Sequence, residues 1–356
     1  MFTYSIQLLK DSFFFSVFFG LLSECDGGSR RVGYSADERV DELLGQSIAP
    51  STRVKYIALW RKWESYCRDF NEPPLPAQAS VLERFLANLA FDGSKTNYAA
   101  AAAAIAWQHS IVGYTSPTKS PRIVALMSGA RRMLARPAVR KVPLSVSLMR
   151  QLIDRSSFSQ SASVDQNALL RFHFFILTSF YAFLRYSDFS VLRVRHFHFF
   201  NDYMVINIPH SKCDQYRQGD SVTVAGQAEK GGYCAVVSAR RYIELLRRAS
   251  ASKDVFVLQS VVVGRDGVLS LGRQASRAVL VDQLRRALSS LVSDPLQYSL
   301  HSLRSGGATT AARFSSVSRD ELKRHGRWAS SAVDSYIEPS LDFRLNITKK
   351  MATTID

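Results

Sequence analysis

Apolar side chains recur at helical spacing in four stretches between residues 50 and 135. With capping residues and prolines setting their ends, this pattern predicts helices over 52–70, from 78 or 80 to 91, from 99 to about 109, and over 121–134. The segment Asn71–Pro76 separates the first two, because proline removes a backbone donor and biases the preceding residue away from helix. Since no strand pattern interrupts these stretches, we expect a compact four-helix module.

The rest of the chain has a mixed pattern that is mostly helical. It predicts strands over 203–209 and 219–224, and helices over 145–155, 165–183, 238–249, 273–290, 303–314 and from 318 onward. Between the two parts, Ala135–Pro143 contains two prolines and three cationic residues and reads as an extended linker. We therefore expect an N-terminal extension over 1–48, a helical domain over 49–135, a basic linker over 136–144 and a second domain over 145–356.

A run of ten residues, Phe13–Leu22, is almost entirely apolar. A bilayer span needs about 20 such residues, so the run is too short to cross a membrane. Its length fits the core of a secretory signal peptide, but the preceding segment has only Lys10, directly followed by Asp11. A signal peptide, a short buried helix and an extension separate from the main fold all remain open.

The composition shows that the chain is strongly basic. The 356 residues include 46 basic and 30 acidic side chains, for a net charge of +16, and a hydrophobic fraction of 46% excludes a wholly disordered chain. Residues 1–48 carry a net charge of −3, residues 49–150 carry +10 and residues 151–356 carry +9. Such a surface attracts nucleic acid or anionic lipid, although many basic proteins are only soluble cations. Four dispersed cysteines suggest neither a zinc site nor a disulfide framework and fit a reducing compartment.

The segment HSLRSGGAT at 301–309 carries the strongest local chemistry. His301 and Arg304 lie three residues apart and so share one face of a helix, where both could meet the same phosphate. Taken alone, the pair is better explained as part of an ordinary surface helix with an exposed cation and a capping histidine. The neighbouring motifs change that balance: they are FLRYSD at 183–188, HSKCDQ at 210–215, and HGRWASS at 325–331 followed by Tyr336.

In this order the motifs resemble the tyrosine recombinase (phage integrase) family, in particular the eukaryotic branch carried by DIRS-type and Crypton transposable elements. The resemblance covers about residues 50–340, with specific motifs only in the second part. Many members have a histidine nine residues before the tyrosine, whereas here Trp328 stands eight before Tyr336, with His325 as a competitor. The resemblance implies six catalytic residues: Arg185, Lys212, His301, Arg304, Trp328 and Tyr336.

The chemistry of these residue types agrees with that role. Cleaving a phosphodiester requires an in-line nucleophile, positive charge at the non-bridging oxygens and a proton for the leaving oxygen. The resemblance implies that Tyr336 attacks and forms a 3′-phosphotyrosyl intermediate, which stores the bond energy so that neither ATP, a metal nor another cofactor is needed. Guanidinium groups suit the two non-bridging oxygens because they donate bidentately.

The resemblance also implies the architecture: a mainly α fold, with an N-terminal all-α (SAM-like) core-binding domain and an α+β catalytic domain of the DNA breaking-rejoining type with a small antiparallel sheet. Its implied partner is double-stranded DNA, bound by a homotetramer on two sites in the nucleus, with no membrane contact; the tail after Tyr336 is expected on a neighbouring subunit. We assign phosphate contacts to cations of the helical module and linker: Arg53, Arg61, Lys62, Arg131, Arg132, Arg136, Arg140 and Lys141. A type IB topoisomerase-like enzyme and a domesticated DNA-binding protein without catalysis remain the alternatives.

Overall fold

The computed structural model describes residues 36–93, 97–137, 140–158, 165–209, 219–314, 316–336 and 341–352. The chain divides between residues 138 and 139 into two compact units. The apolar run 13–22, with the three interpretations given for it, lies outside the described residues. Within the described residues, no helix is long and apolar enough to cross a bilayer.

The first unit is entirely helical where it is described. Its α-helices are α1 (Ala36–Gly45), α2 (Pro50–Asp69), α3 (Ala79–Phe91), α4 (Asn97–Val112) and α5 (Pro121–Met133). The four helices that the sequence predicts here are present as α2 to α5, while α1 was not predicted. Their shared core is built around side chains with almost no exposed surface, among them Trp63, Leu82, Leu86, Ile105 and Ile123.

Small residues and one histidine hold this unit together. Ala101 and Ala104 of α4 are fully buried, so α2 can pack closely against that helix. His109 uses both ring nitrogens: one bonds the Ile105 carbonyl at 2.7 Å and Nε2 accepts the Ala77 N–H at 2.9 Å. Burial lowers the pKa of His109, which keeps the ring neutral and able to accept that bond. The connection that follows the prolines is thereby fixed to α4.

The second unit combines helices with two antiparallel sheets. Its elements are α6 (Val146–Phe158), α7 (Gln166–Tyr181), α8 (Tyr186–Phe189), β1 (Phe197–Phe199), β2 (Tyr203–Ile208), β3 (Asp220–Ala225), α9 (Ala235–Ala249), β4 (Gln259–Val263), β5 (Leu269–Gln274), α10 (Arg277–Leu288), α11 (His301–Ala311), α12 (Arg319–His325), a 3₁₀ helix over Ser331–Tyr336 and α13 (Leu341–Ala352). One sheet has the order β1-β2-β3, with Met204 opposite Val224, and β4 pairs with β5.

The sequence predicts β2 and β3 to within a residue or two but misses β1 and the β4–β5 hairpin. The helix expected over 273–290 is wrong at its start, because residues 273 and 274 belong to β5. Ser276 sets the true start of α10: its side chain accepts the Val279 N–H at 3.3 Å and caps the helix. Gly267, with φ of +78°, supplies the left-handed conformation that the hairpin turn requires.

Helix α7 runs through the centre of the second unit and ends next to the candidate site. Its side chains Phe174, Phe175 and Ile176 are fully buried, and it packs against α9 and α11. The helix ends at Tyr181, and Phe183 with φ of +48° turns the chain toward Arg185. Three predicted site residues, Arg185, His301 and Arg304, therefore sit on chain segments that meet the end of α7.

Candidate active site

Three side chains from the last third of the chain bind the backbone carbonyls of residues 181–183, at the carboxyl end of α7. We call these carbonyls and the three side chains the collar. His325 contacts the Tyr181 oxygen through Nε2 at 2.8 Å. Arg327 donates to the oxygens of residues 182 and 183 at 3.1 and 3.3 Å, and Arg304 also donates to the Phe183 oxygen. Cationic groups are favoured here because a helix carries partial negative charge at its carboxyl end. These contacts fix the segment 301–328 against α7.

Arg304 is completely buried. Its two terminal nitrogens donate to the carbonyls of Phe183 and, at 2.7 Å, Gly326, and its guanidinium carbon lies 4.5 Å from the centre of the Trp328 ring. Its Nε has no hydrogen-bond partner among the described residues, and no carboxylate described lies within ion-pair distance of it. Counting only partners that the structure describes, two of its five donors are in use and its positive charge has no direct counter-charge.

Burial and neighbouring positive charges raise the free-energy cost of keeping Arg304 protonated. Loss of water, followed by the positive charges of Arg185 and Arg327, lowers the pKa of Arg304 to about 10. The charge nevertheless persists at neutral pH, and a nearby anion would stabilise it. This corner of the protein is thus suited to receive a negatively charged group.

Arg185 lies at the mouth of the same site, with about a quarter of its side chain exposed. Asp188 orients it: the buried carboxylate accepts the Arg185 backbone N–H at 3.1 Å and faces its guanidinium at 3.8 Å. Ser187 also donates to Asp188, at 3.3 Å. The sequence reasoning did not single out Asp188, although an acidic residue three positions after Arg185 in a short helix is the signal that could have found it.

His301 and Tyr336 meet across the site. His301 begins α11 and Tyr336 ends the 3₁₀ helix, and the imidazole Nε2 lies 3.2 Å from the Tyr336 hydroxyl oxygen. Loss of water around the ring, then the charges of Arg304 and Arg185, lowers the pKa of His301 below its ordinary value. At neutral pH the imidazole is therefore unprotonated and can accept a proton from the hydroxyl.

Trp328 and His325, which the sequence offers for the same catalytic position, occupy different places. Trp328 is 5% exposed and contacts both the Arg304 guanidinium and the Tyr336 ring, whose centre is 5.2 Å from its own. His325 points instead to the Tyr181 carbonyl and packs edge-on against Phe183. Trp328 is therefore part of the site, whereas His325 belongs to the collar around the end of α7.

One predicted catalytic residue lies outside the described part of the chain, and one residue near the site was not predicted. Lys212 lies outside the described residues. Arg327 was not predicted, and the sequence carries no signal for it, since its φ of +54° and its bonds to carbonyls of α7 depend on long-range packing. The site thus brings together Arg185, His301, Arg304, Trp328 and Tyr336.

The cations assigned to DNA contact are distributed over α2, the end of α5 and the segment that follows it. Seven of the eight are exposed: Arg61, Lys62, Arg131, Arg132, Arg136, Arg140 and Lys141. Arg53 is half-buried, and Lys141 donates to the Leu296 carbonyl at 2.6 Å. Among the residues that the structure describes, no group of His, Cys, Asp or Glu side chains could hold a metal ion.

No protein-family model and no curated protein matches the chain. Solved structures do match. The Tn1549 transposon integrase in complex with circular intermediate DNA has a TM-score of 0.55 and 13% identity, over 87% of this chain and 98% of that one. The lambda integrase dimer bound to a core site has a TM-score of 0.51 and 13% identity, over 85% and 75% of the chains. The XerH recombinase in a post-cleavage complex has a TM-score of 0.50 and 12% identity, over 82% and 76%.

At these identities the likeness is one of fold. It confirms the fold class predicted from the sequence, a mainly helical chain with small antiparallel sheets. The chain has the fold of the tyrosine recombinases.

Proposed function

We propose that this chain is a site-specific tyrosine recombinase that cleaves and rejoins DNA through a covalent bond between Tyr336 and a 3′-phosphate. One observation carries the proposal: the fully buried Arg304 has no carboxylate partner among the described residues and contacts Trp328, which also contacts Tyr336, whose hydroxyl lies 3.2 Å from the imidazole of His301. A phosphodiester supplies the missing negative charge and also the atom that the hydroxyl attacks.

The proposed reaction exchanges one phosphate ester for another. The Tyr336 oxygen attacks phosphorus, its proton passes to Nε2 of His301, and the bond from phosphorus to the 5′-oxygen breaks. Arg185 and Arg304 stabilise the negative charge on the non-bridging oxygens. Because the number of ester bonds does not change, the attack of a 5′-hydroxyl on the phosphotyrosine reverses the step without ATP.

The leaving 5′-oxygen needs a proton, and we assign that role to Lys212 on the strength of the sequence resemblance. Trp328 cannot transfer a proton, since its indole N–H only donates hydrogen bonds. Its contacts support a different role: its ring makes a cation–π contact with the Arg304 guanidinium and packs against the Tyr336 ring. Phosphate reaches Arg304 only if the groups that cover it move, because the side chain has no exposed surface here.

A nicked duplex that loses its 5′-hydroxyl fragment on cleavage traps the covalent adduct. The substrate should carry the terminal sequences that flank the coding region in its genome. We expect a protein–DNA adduct with the wild type and with the control Tyr203→Phe, an exposed tyrosine of β2, and none with Tyr336→Phe. An adduct that persists in Tyr336→Phe would contradict the assignment.

The exposed cations support DNA affinity that does not depend on sequence. The logarithm of the association constant should fall linearly with the logarithm of salt concentration, with a slope of about 0.9 for each phosphate contacted. Paired substitution of Arg131 and Arg132 to Gln should make this slope shallower, while Lys349→Gln, at the far end of the chain, should not. A salt dependence near zero in the wild type would argue against the DNA interface.

Three parts of the proposal rest on the sequence resemblance: the homotetramer on two DNA sites, the service of a mobile element, and the nuclear location. Strand exchange between two labelled duplexes, with the mass of the complex measured by light scattering, tests the tetramer. Relaxation of supercoiled plasmid by a monomer without strand exchange would favour the topoisomerase-like alternative. DNA binding without any covalent product would favour the domesticated binding protein.

A further inference from the structure

Tyr336 sits at the end of a 3₁₀ helix of six residues, Ser331–Tyr336. Val333 is the apolar anchor: it is buried in a cluster with Phe183, Leu322 and Trp328. Short 3₁₀ helices have poor hydrogen-bond geometry and little stability of their own. The position of the Tyr336 hydroxyl therefore depends on how the side chains of this helix attach it to its surroundings.

A bidentate ion pair supplies the second attachment. Arg319 donates from Nε to one oxygen of Asp334 at 2.5 Å and from a terminal nitrogen to the other at 2.9 Å. Asp334 precedes Tyr336 by two residues. Arg319 stands in the first turn of α12, whose start is fixed by reciprocal hydrogen bonds between Ser318 and Glu321. One end of the pair is thus anchored to a capped helix and the other to the helix that carries the tyrosine.

We propose that Arg319 and Asp334 form a positioning pair that keeps Tyr336 within reach of His301 and thereby sets the rate of the first cleavage step; the inference rests on the proposed function. Both side chains are about half exposed, at 48% and 49%. An exposed pair of this kind contributes too little to decide whether the unit folds, but enough to change the population of one docked segment about two- to fivefold. The hydrogen bonds from Arg319 lower the pKa of Asp334, so the pair stays ionised throughout the neutral range.

The first measurement does not require catalysis. Hydrogen exchange of the amides in 331–336 reports how often this helix opens in the DNA-free full chain. We expect exchange there to rise about two- to fivefold in Asp334→Asn and in Arg319→Gln, as far as an exposed bidentate pair shifts the opening equilibrium. The matched control is Asp254→Asn, which removes a similarly exposed arginine–aspartate pair, with Arg195, from another part of the same unit.

The second measurement is the single-turnover rate of adduct formation at saturating nicked DNA. The rate follows the docked fraction and should fall in Asp334→Asn by a factor no larger than the rise in exchange, with the dissociation constant for DNA and the thermal midpoint unchanged. The double variant Arg319→Asp with Asp334→Arg restores opposite charges and should return both exchange and rate to within about twofold of the wild type. A purely structural surface pair would not give this rescue at constant DNA affinity.

The outcomes separate the two proposals. If Asp334→Asn leaves exchange of 331–336 at the wild-type value, or if the charge swap fails to restore it, the positioning pair is overturned. If exchange and its rescue behave as expected but the wild type forms no adduct, the pair holds the helix and the proposed recombinase activity is what fails. If exchange responds while the cleavage rate does not, the pair does not set that rate and the inference is overturned.

Discussion

Gly307 of α11 approaches the Phe180 carbonyl of α7 so closely that a side chain has no room there: a Cβ at residue 307 would lie 2.0 Å from that oxygen. Since the oxygen belongs to a packed helix backbone, it cannot move aside. Gly307 in the segment HSLRSGGAT is therefore a packing requirement, and it brings His301 and Arg304 to the end of α7.

Gly307→Ala should destabilise the protein by about 1–3 kcal/mol or more, because overpacking forces α11 away from α7. The control is Gly129→Ala in the exposed face of α5, where a Cβ would meet nothing within 4 Å. That change should stabilise the protein by about 0.5–1 kcal/mol, since alanine is the better helix former. Urea unfolding measures both; equal effects would show that the close approach is not a constraint.

Asp188→Asn tests the buried carboxylate beside Arg185. Removing its charge leaves Arg185 and Arg304 without the nearest negative group, so we expect a loss of about 1–3 kcal/mol in unfolding free energy and a much slower cleavage. Asp282→Asn removes an exposed carboxylate paired with Arg286 and should change neither quantity. Urea titration with single-turnover kinetics distinguishes them, and normal cleavage in Asp188→Asn would remove Asp188 from the site.

The pH dependence of cleavage should report His301. The neutral imidazole is the form that accepts the tyrosine proton, and the pKa of His301 is lowered from its ordinary value. The rate at subsaturating enzyme should therefore stay level down to about pH 6.5 and fall about tenfold per unit well below that. His301→Asn should be slow and lose this acidic limb, whereas the exposed His198→Asn should keep it. An unchanged profile in His301→Asn would exclude His301 as the base.

We expect substitutions of Trp328 and His325 to affect different properties, cleavage for Trp328 and stability for His325. Trp328→Ala removes the ring that supports the Arg304 cation, and we expect cleavage to slow by about tenfold or more, the size of a desolvated cation–π contact. Trp328→Phe keeps an aromatic face and should lose less. His325→Leu breaks the bond to the Tyr181 carbonyl. It should lower the thermal midpoint and slow cleavage less than Trp328→Ala does. If cleavage slowed more in His325→Leu than in Trp328→Ala, the catalytic position would be assigned to His325.

Local patterns predicted the helices well, because capping residues, prolines and apolar spacing act within a few residues. They placed the start of α10 too early, since the polar residues Arg273 and Gln274 at the end of β5 give no strand signal, and they missed the β4–β5 hairpin, where Val262, Val263 and Val268 are exposed and give no alternation. The motifs named five residues that the fold brings together. They could not show Arg327 in the collar, since its bond to the Ala182 carbonyl joins residues 145 positions apart. Asp188 was missed although its spacing of three from Arg185 is a local signal.

The collar at the end of α7 also sets an order of events during folding. Its bonds join residues 121 to 145 positions apart, from Arg304 to Phe183 and from Arg327 to Ala182. Contacts this distant in sequence form after local helices, since closing long loops costs entropy. A chain cut before residue 301 has Arg185 and Asp188 but neither Arg304 nor Tyr336. The candidate site is therefore complete only in a chain that extends through residue 336, and the proposed activity requires at least that length.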